Sequence, residues 1–114
     1  MKLLRSFRYA CQGIITAIID QQNLKIHLLA VVVVVSAGLY FHITTVEWCL
    51  VILCFGMVIT AELVNTAIEY LVDLVSPQQH SLAGKAKDIA AGAVLVAAIV
   101  AAIVAGFIFI KYIL

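Results

Sequence analysis

Three long stretches of mostly apolar residues dominate this sequence and restrict what it can fold into. A helix crosses the ~30 Å hydrocarbon core of a membrane with roughly 17–25 predominantly apolar residues. Residues 24–41, 48–75 and 83–112 are each long enough. The composition agrees, because 66% of the residues are hydrophobic and 11% are charged, whereas soluble domains have about 45–50% apolar and about 25% charged residues. We therefore predict an all-α integral membrane protein with three transmembrane helices.

Residues 1–22 have a different pattern. Apolar side chains such as Leu4, Phe7 and Ile14 recur at helical spacing, whereas Lys2 and Arg5 lie largely on another side. This pattern is typical of an amphipathic helix that lies in the membrane interface. Because the chain has one proline and no long polar linker, we predict a single membrane domain over residues 1–114.

The basic residues indicate the orientation in the membrane. If three spans alternate, Lys111 lies on one side and the other lysines and arginines lie on the opposite side. Cytoplasmic segments carry the excess of Lys and Arg, so the N-terminus and loop 76–82 are predicted to be cytoplasmic. The 7 basic residues are scattered among the spans and form no continuous stripe for phosphates, so nucleic-acid binding is not expected.

The second span carries an unusual row of polar residues. Glu62, Asn65, Glu69 and Asp73 are spaced i, i+3, i+7 and i+11, which places them within an arc of about 80° on one helix face. Counted from residue 48, Glu62 lies roughly 9 Å inside the apolar core and Glu69 lies near its cytoplasmic boundary. A carboxylate inside a membrane helix costs at least ~2.5 kcal/mol on insertion scales and usually marks a functional site.

Cations follow this acidic row in the sequence, at Lys85 and Lys87, and His80 precedes them. Carboxylates near a membrane surface can hold Mg²⁺ together with substrate phosphates, which is the equipment of phosphoryl transfer. Two other interpretations remain open from spacing alone: a buried salt-bridge network that ties helices together, and a pathway for ions or protons. His27, at the start of the first span, is interpreted as an interfacial residue.

The same residues carry a resemblance to a known family. Residues 61–69 (AELVNTAIE), the pair Val72 and Asp73, His80, and residues 83–95 (AGKAKDIAAGAVL) closely resemble the prokaryotic diacylglycerol kinase family, which includes the undecaprenol kinases. The resemblance covers nearly the whole chain. It implies a homotrimer with a surface helix and three spans per subunit, and active sites between subunits at the cytoplasmic interface. It also implies transfer of the γ-phosphoryl group of ATP to a lipid hydroxyl.

The resemblance further implies roles for individual residues. Glu62 resembles the general base that takes the proton from the lipid hydroxyl, Glu69 resembles a metal-binding carboxylate, and Asn65 supports the site. The implied contacts to ATP are Arg5, Tyr9, Glu69, Asp73, His80, Lys87 and Asp88.

One position departs from the family pattern. The family usually has a second metal-binding glutamate three residues before the position of Leu24, where this sequence has Gln21 with Asp20 beside it. Glutamine brings a carbonyl oxygen but no negative charge. Asp20 substitutes through a small shift in register, or metal binding is weaker, or this chain has drifted in function.

These observations together predict an ATP- and Mg²⁺-dependent lipid kinase of the bacterial cytoplasmic (inner) membrane, with its active site on the cytoplasmic side. Its partners are membrane lipids, a lipid substrate, ATP and further copies of the same chain. Diacylglycerol and undecaprenol both remain open as the acceptor. The alternative is a non-catalytic membrane protein, such as an ion-conducting or assembly subunit, in which the carboxylates are structural.

Overall fold

The computed structural model describes residues 1–114 and contains four helices. They are α1 (Lys2–Asp20), α2 (Gln22–Phe41), α3 (Thr45–Val75) and α4 (Ser81–Ile113). Helices α2, α3 and α4 are long and apolar enough to cross a membrane. The predicted all-α fold with three helices able to cross a membrane is thereby confirmed, and the interfacial position of α1 stays a prediction.

Local sequence signals explain where the helices end. A single extended residue, Gln21 (φ −110°, ψ 114°), separates α1 from α2. Helix α2 ends at His42, whose backbone is left-handed (φ 53°). Helix α3 begins at Thr45, three residues earlier than the span predicted from residue 48, because Thr44 and Glu47 form a reciprocal capping box.

The end of α3 and the start of α4 are also set by individual residues. Helix α3 stops at Val75, directly before Ser76 and Pro77, since the residue before a proline avoids the helical conformation. His80 caps α4, with its Nδ1 accepting a hydrogen bond of 3.1 Å from the backbone N–H of Leu82. The 31 residues of α3 span about 46 Å, against ~30 Å of hydrocarbon, so one end of this helix extends beyond the apolar layer.

Apolar side chains gather at the end of the molecule opposite loop 76–80. Ile43, Val51 and Ile108 form a small buried core there, surrounded by Phe41, Trp48, Phe109 and Tyr112 among others. Glu47 is 7% exposed. It pairs with Lys111 Nζ at 2.7 Å and accepts a hydrogen bond of 2.5 Å from Tyr112 Oη. These contacts hold the start of α3 against the end of α4.

Few residues are buried within one chain. Only 13 of 114 residues are buried, and the principal extents of 51 × 41 × 20 Å describe a thin slab. Helix α3 is the central element, because it contacts each of the other three helices and α4 most extensively. Any site on α3 is therefore bordered by residues from several elements.

Candidate functional site

The deepest member of the acidic row is Glu62, which is 1% exposed. Neither of its carboxylate oxygens has a hydrogen-bond partner within the chain. Thr66, one turn further along, donates its hydroxyl to the backbone carbonyl of Glu62 at 2.9 Å and leaves the carboxylate free. A buried polar atom without a partner carries a large desolvation penalty and requires an explanation. This carboxylate is therefore a strong candidate for contact with a substrate.

A histidine from another helix faces this carboxylate. His27 Nε2 on α2 lies 3.6 Å from Glu62 Oε2. The position of His27 near the start of the first span predicts an interfacial residue and does not link it to Glu62. The signal that was missed is helical spacing, because His27 follows Leu24 by one turn and Leu24 is among the most buried side chains of the chain.

Asn65 and Glu69 form the middle of the acidic row. Asn65 Nδ2 donates a hydrogen bond of 3.1 Å to Glu69 Oε1. Asn65 is buried, and its Oδ1 has no partner within the chain. Glu69 is half-buried, so the amide holds its Oε1 while the carboxylate remains accessible. The roles of Asn65 as a supporting amide and of Glu69 as a metal-binding carboxylate stay predictions.

The outer end of the row opens into a polar cleft between the end of α3 and the start of α4. Asp73 Oδ1 and Lys87 Nζ form an ion pair of 2.5 Å on one side of it. The cleft has a volume of about 540 Å³, and it is also bordered by Ser76, His80 and Gly84. Because His80 uses Nδ1 for the helix cap, its Nε2 is the ring atom left for other contacts. Three residues predicted to contact ATP are thus brought together.

The residues predicted on and after α1 are placed differently. Asp20 Oδ2 accepts a hydrogen bond of 2.8 Å from Tyr70 Oη, which ties the end of α1 to the α3 residue that follows Glu69. Gln21 occupies the break between α1 and α2. Arg5, Tyr9 and Asp88 are exposed. Within one chain, their side chains form no hydrogen bond or ion pair with the acidic row. The contact of Tyr70 is not predictable from the sequence pattern, because its partner lies 50 positions away in the chain.

The oxygen donors of this site are of the type that binds a divalent cation. Mg²⁺ prefers oxygen ligands and is commonly held by one or two carboxylates plus substrate phosphates. Glu69 supplies such a carboxylate, the orphaned Oδ1 of Asn65 lies on the same helix face, and Asp20 and Gln21 are oxygen donors at the neighbouring helix break. No three His, Cys, Asp or Glu side chains of one chain form a complete metal-binding cluster. The phosphates would therefore complete the coordination.

The site is extended along α3. Glu62 and Asp73 are eleven residues apart, which corresponds to about 16 Å along a helix. Within one chain, the buried carboxylate and the polar cleft are therefore separate places. A substrate that uses both must be long, or must meet residues of two different chains.

The fold and this acidic row define a small helical membrane protein with a polar site at one end of its spans. Comparison with known families identifies the chain more closely. A sequence model described as prokaryotic diacylglycerol kinase matches residues 8–109. The chain belongs to this family, as the motifs around Glu62 and Lys87 predicted.

Individual relatives agree with this assignment. A protein of Synechocystis named diacylglycerol kinase is 46% identical over 105 residues, which cover 91% of this chain and 60% of that protein. An undecaprenol kinase of Bacillus subtilis is 37% identical over 108 residues, covering 95% of this chain and 88% of the relative. A diacylglycerol kinase of Escherichia coli is 30% identical over 102 residues, covering 90% and 84%. The predicted enzyme type, a diacylglycerol or undecaprenol kinase, is thereby confirmed.

Proposed function

We propose that this chain transfers the γ-phosphoryl group of ATP to the hydroxyl group of a membrane lipid, in a Mg²⁺-dependent reaction at the cytoplasmic face of a bacterial membrane. The observation that carries this proposal is Glu62, a carboxylate 1% exposed with both oxygens unpartnered. Its row continues outward to a polar cleft that contains a lysine and a histidine. A lipid hydroxyl would approach Glu62 from the membrane, and a nucleotide would approach the polar cleft from water. The acidic row extends from one of these places to the other.

In the proposed reaction, Glu62 accepts the proton of the lipid hydroxyl. The hydroxyl oxygen forms a bond to the γ-phosphorus, and the bond from that phosphorus to the bridging oxygen of ADP breaks. ADP leaves with the electron pair of that bond, and the lipid becomes a phosphate monoester. A positioned general base contributes typically 10²–10⁴-fold to a rate, and the burial of Glu62 excludes the water that would compete with the lipid hydroxyl.

The remaining charge of the reaction lies on phosphate oxygens. Glu69, oriented by Asn65, would hold Mg²⁺, which when bound offsets the negative charge of the phosphates. Lys87 would exchange its ion pair with Asp73 for a phosphate oxygen, and His80 in the same cleft would contact the nucleotide. Arg5 and Tyr9 on α1 and Asp88 on α4 are proposed as further nucleotide contacts. In a homotrimer they would meet the cleft of a neighbouring subunit.

The lipid acceptor is proposed as diacylglycerol or undecaprenol. Both have a terminal hydroxyl attached to a long apolar body, which places the hydroxyl near the membrane boundary. The relative at 46% identity is named a diacylglycerol kinase, and the relative at 37% identity is named an undecaprenol kinase. An assay that offers both lipids decides between them.

The test is transfer of labelled γ-phosphate from ATP to each lipid in mixed micelles with Mg²⁺. We expect label in at least one lipid, with a loss of at least ~100-fold in Glu62→Gln and Glu69→Gln. Glu47→Gln is the matched control, because Glu47 is a buried carboxylate of the same helix that pairs with Lys111 at the opposite end. Folded protein that labels neither lipid would favour the non-catalytic alternative. Undiminished labelling by Glu62→Gln and Glu69→Gln would instead show that these two carboxylates do not carry the reaction.

A further inference from the structure

Helix α1 is joined to the other helices by one polar side-chain contact. Tyr70 Oη on α3 donates a hydrogen bond of 2.8 Å to Asp20 Oδ2, at the last residue of α1. No other side-chain hydrogen bond or ion pair of the chain connects α1 with another helix. Because a hydrogen bond is directional, this contact sets where the end of α1 lies against α3.

The one-residue break between α1 and α2 is held to α3 from both sides. Before the break, Asp20 contacts Tyr70. After the break, His27 on α2 lies with its Nε2 3.6 Å from Glu62 Oε2. The break is therefore kept over residues 62–70 of α3, which include the middle of the acidic row.

The middle of the acidic row has an oxygen that calls for a ligand from outside the chain. Asn65 is 5% exposed, and its Oδ1 has no partner, whereas its Nδ2 donates to Glu69 Oε1. A buried polar atom without a partner requires an explanation, and a bound cation with its waters would satisfy this oxygen. Mg²⁺ is commonly held by one or two carboxylates plus phosphates. Glu69 would supply one carboxylate, and Gln21 at the break carries no charge.

Asp20 is the acid that can supply a second negative charge at this place. It is the only acid among residues 1–44. Asp20 is exposed and forms no ion pair, and Tyr70 occupies only its Oδ2. The two oxygens of a carboxylate accept several bonds between them, so Oδ1 remains available. Tyr70 and Glu69 are consecutive residues on one turn of α3, so the hydrogen bond keeps the Asp20 carboxylate beside that turn.

We infer that Tyr70 is a positioning residue of the cation site, which holds Asp20 against α3 so that Asp20 supplies the second negative charge that Gln21 does not. The inference rests on the proposed function, because the cation is the Mg²⁺ that accompanies ATP. A negative charge attracts a divalent cation through direct contact or through one of the waters that Mg²⁺ usually retains. The charge of Asp20 therefore contributes in either arrangement.

Two conservative substitutions separate this role from a purely structural tie between helices. Tyr70→Phe removes the hydroxyl that holds Asp20 and keeps the aromatic ring and the acid. Asp20→Asn keeps an oxygen that can accept the hydrogen bond from Tyr70 and removes the charge. If Tyr70→Phe folds poorly, Asp20→Asn still tests the charge with the tie in place.

The measurement is the affinity for Mn²⁺, a paramagnetic ion that suits the same oxygen ligands as Mg²⁺. Electron paramagnetic resonance counts the bound ion in the presence of a non-hydrolysable ATP analogue and without lipid. Asp20→Asn should lower the affinity by at least about tenfold, and Tyr70→Phe should lower it by about tenfold, as is typical for residues that orient metal ligands. A structural tie alone predicts that Asp20→Asn binds Mn²⁺ as the parent does, which would overturn the inference.

The double variant of Tyr70→Phe with Asp20→Asn tests whether Tyr70 acts through Asp20. If it does, the double variant should bind Mn²⁺ no more weakly than Asp20→Asn alone, because the charge that Tyr70 holds in place is already absent. Two losses that add would show that Tyr70 acts by another route, and the inference would fall.

The matched control is Tyr112→Phe. The Tyr112 hydroxyl also donates to a carboxylate, that of Glu47, at the opposite end of the molecule, so its removal should leave the Mn²⁺ affinity unchanged. Parental Mn²⁺ affinity in Asp20→Asn, together with lipid phosphorylation by the parent protein, would overturn the inference and leave the kinase proposal intact. A parent protein that binds no Mn²⁺ with the analogue would also overturn the inference, and one that in addition labels no lipid would remove the kinase proposal as well.

Discussion

The three acids of α3 lie in three different environments, and the difference bears on what each residue can do. Glu62 is 1% exposed, Glu69 is half-buried, and the side chain of Asp73 is 61% exposed. Burial raises the cost of a charge and strengthens each interaction it makes. The innermost acid therefore suits proton transfer, and the outer acids suit contacts with a charged, hydrated ligand.

Asn65 provides a prediction at this scale. Asn65→Ala removes the amide that donates to Glu69 Oε1 at 3.1 Å. Groups that orient a metal-binding side chain typically contribute 10–100-fold in metal affinity or activity, so lipid phosphorylation should fall by about that factor. The Mg²⁺ concentration needed for half-maximal rate should rise, which a Mg²⁺ titration of the rate measures.

The control for this prediction is Thr66→Ala. Thr66 is the adjacent buried residue, and its hydroxyl bonds only to a carbonyl of its own helix. Thr66→Ala should leave the Mg²⁺ requirement unchanged. Equal effects of the two substitutions would mean that Asn65 acts through helix packing and does not orient Glu69.

Residue spacing predicted the acidic row and failed to predict its partners. Helical periodicity alone placed Glu62, Asn65 and Glu69 on one face, because that property depends only on the geometry of a single helix. The contacts of Glu62 with His27 and of Asp20 with Tyr70 join residues 35 and 50 positions apart in the sequence. Such contacts depend on how helices cross, which neither the period nor the composition of one helix determines.

At the scale of whole helices, the predicted spans agree closely with the observed helices. The start of a helix differs from the prediction where a capping residue determines it. Helix α3 begins before the predicted residue 48 because Thr44 and Glu47 cap it. The apolar run that located the span carries no information on such a cap. Glu47 also pairs with Lys111, so one residue both starts a helix and fixes it to another.

The close approach of α2 and α3 gives a prediction at the same scale. A Cβ atom at Gly38 would lie 2.7 Å from Trp48 Cη2 and 3.1 Å from Ile43 Cδ1. Gly38→Ala should therefore destabilise the protein by about 1–3 kcal/mol, because the indole must move within a packed core. Thermal unfolding in detergent micelles, followed by circular dichroism, measures the change.

Gly56→Ala is the matched control for Gly38→Ala. Gly56 lies within α3 and has no atom within 4 Å of the added Cβ, and alanine is favoured over glycine in a helix by up to ~1 kcal/mol. It should be neutral or slightly stabilising. A Gly38→Ala variant as stable as Gly56→Ala would show that the α2–α3 contact is looser than these distances indicate.

At the scale of the whole molecule, one chain offers too little enclosure for the proposed reaction. Only 13 of 114 residues are buried, and the chain is 20 Å thin in one direction. The base and the polar cleft are about 16 Å apart along α3. Arg5, Tyr9 and Asp88 are exposed and do not line the polar cleft within one chain. These features favour an assembly in which neighbouring chains complete each site, in accordance with the proposed homotrimer.

Mixing two inactive variants tests whether sites are shared between chains. Glu62→Gln lacks the base, and Lys87→Met lacks the phosphate contact. If Glu62 of one subunit works with Lys87 of its neighbour, an equal mixture that is unfolded and reassembled together should regain about one quarter of the parent activity. In any closed ring with random mixing, roughly that fraction of interfaces brings together the two intact residues. Activity that stays at the level of the separate variants would place both residues in one subunit.

Native mass spectrometry of the same samples gives the number of chains, for which we expect three. Masses that contain both variants verify that the variants have exchanged. An assembly that has exchanged and remains inactive would therefore rule out shared sites without questioning the kinase activity of the parent protein.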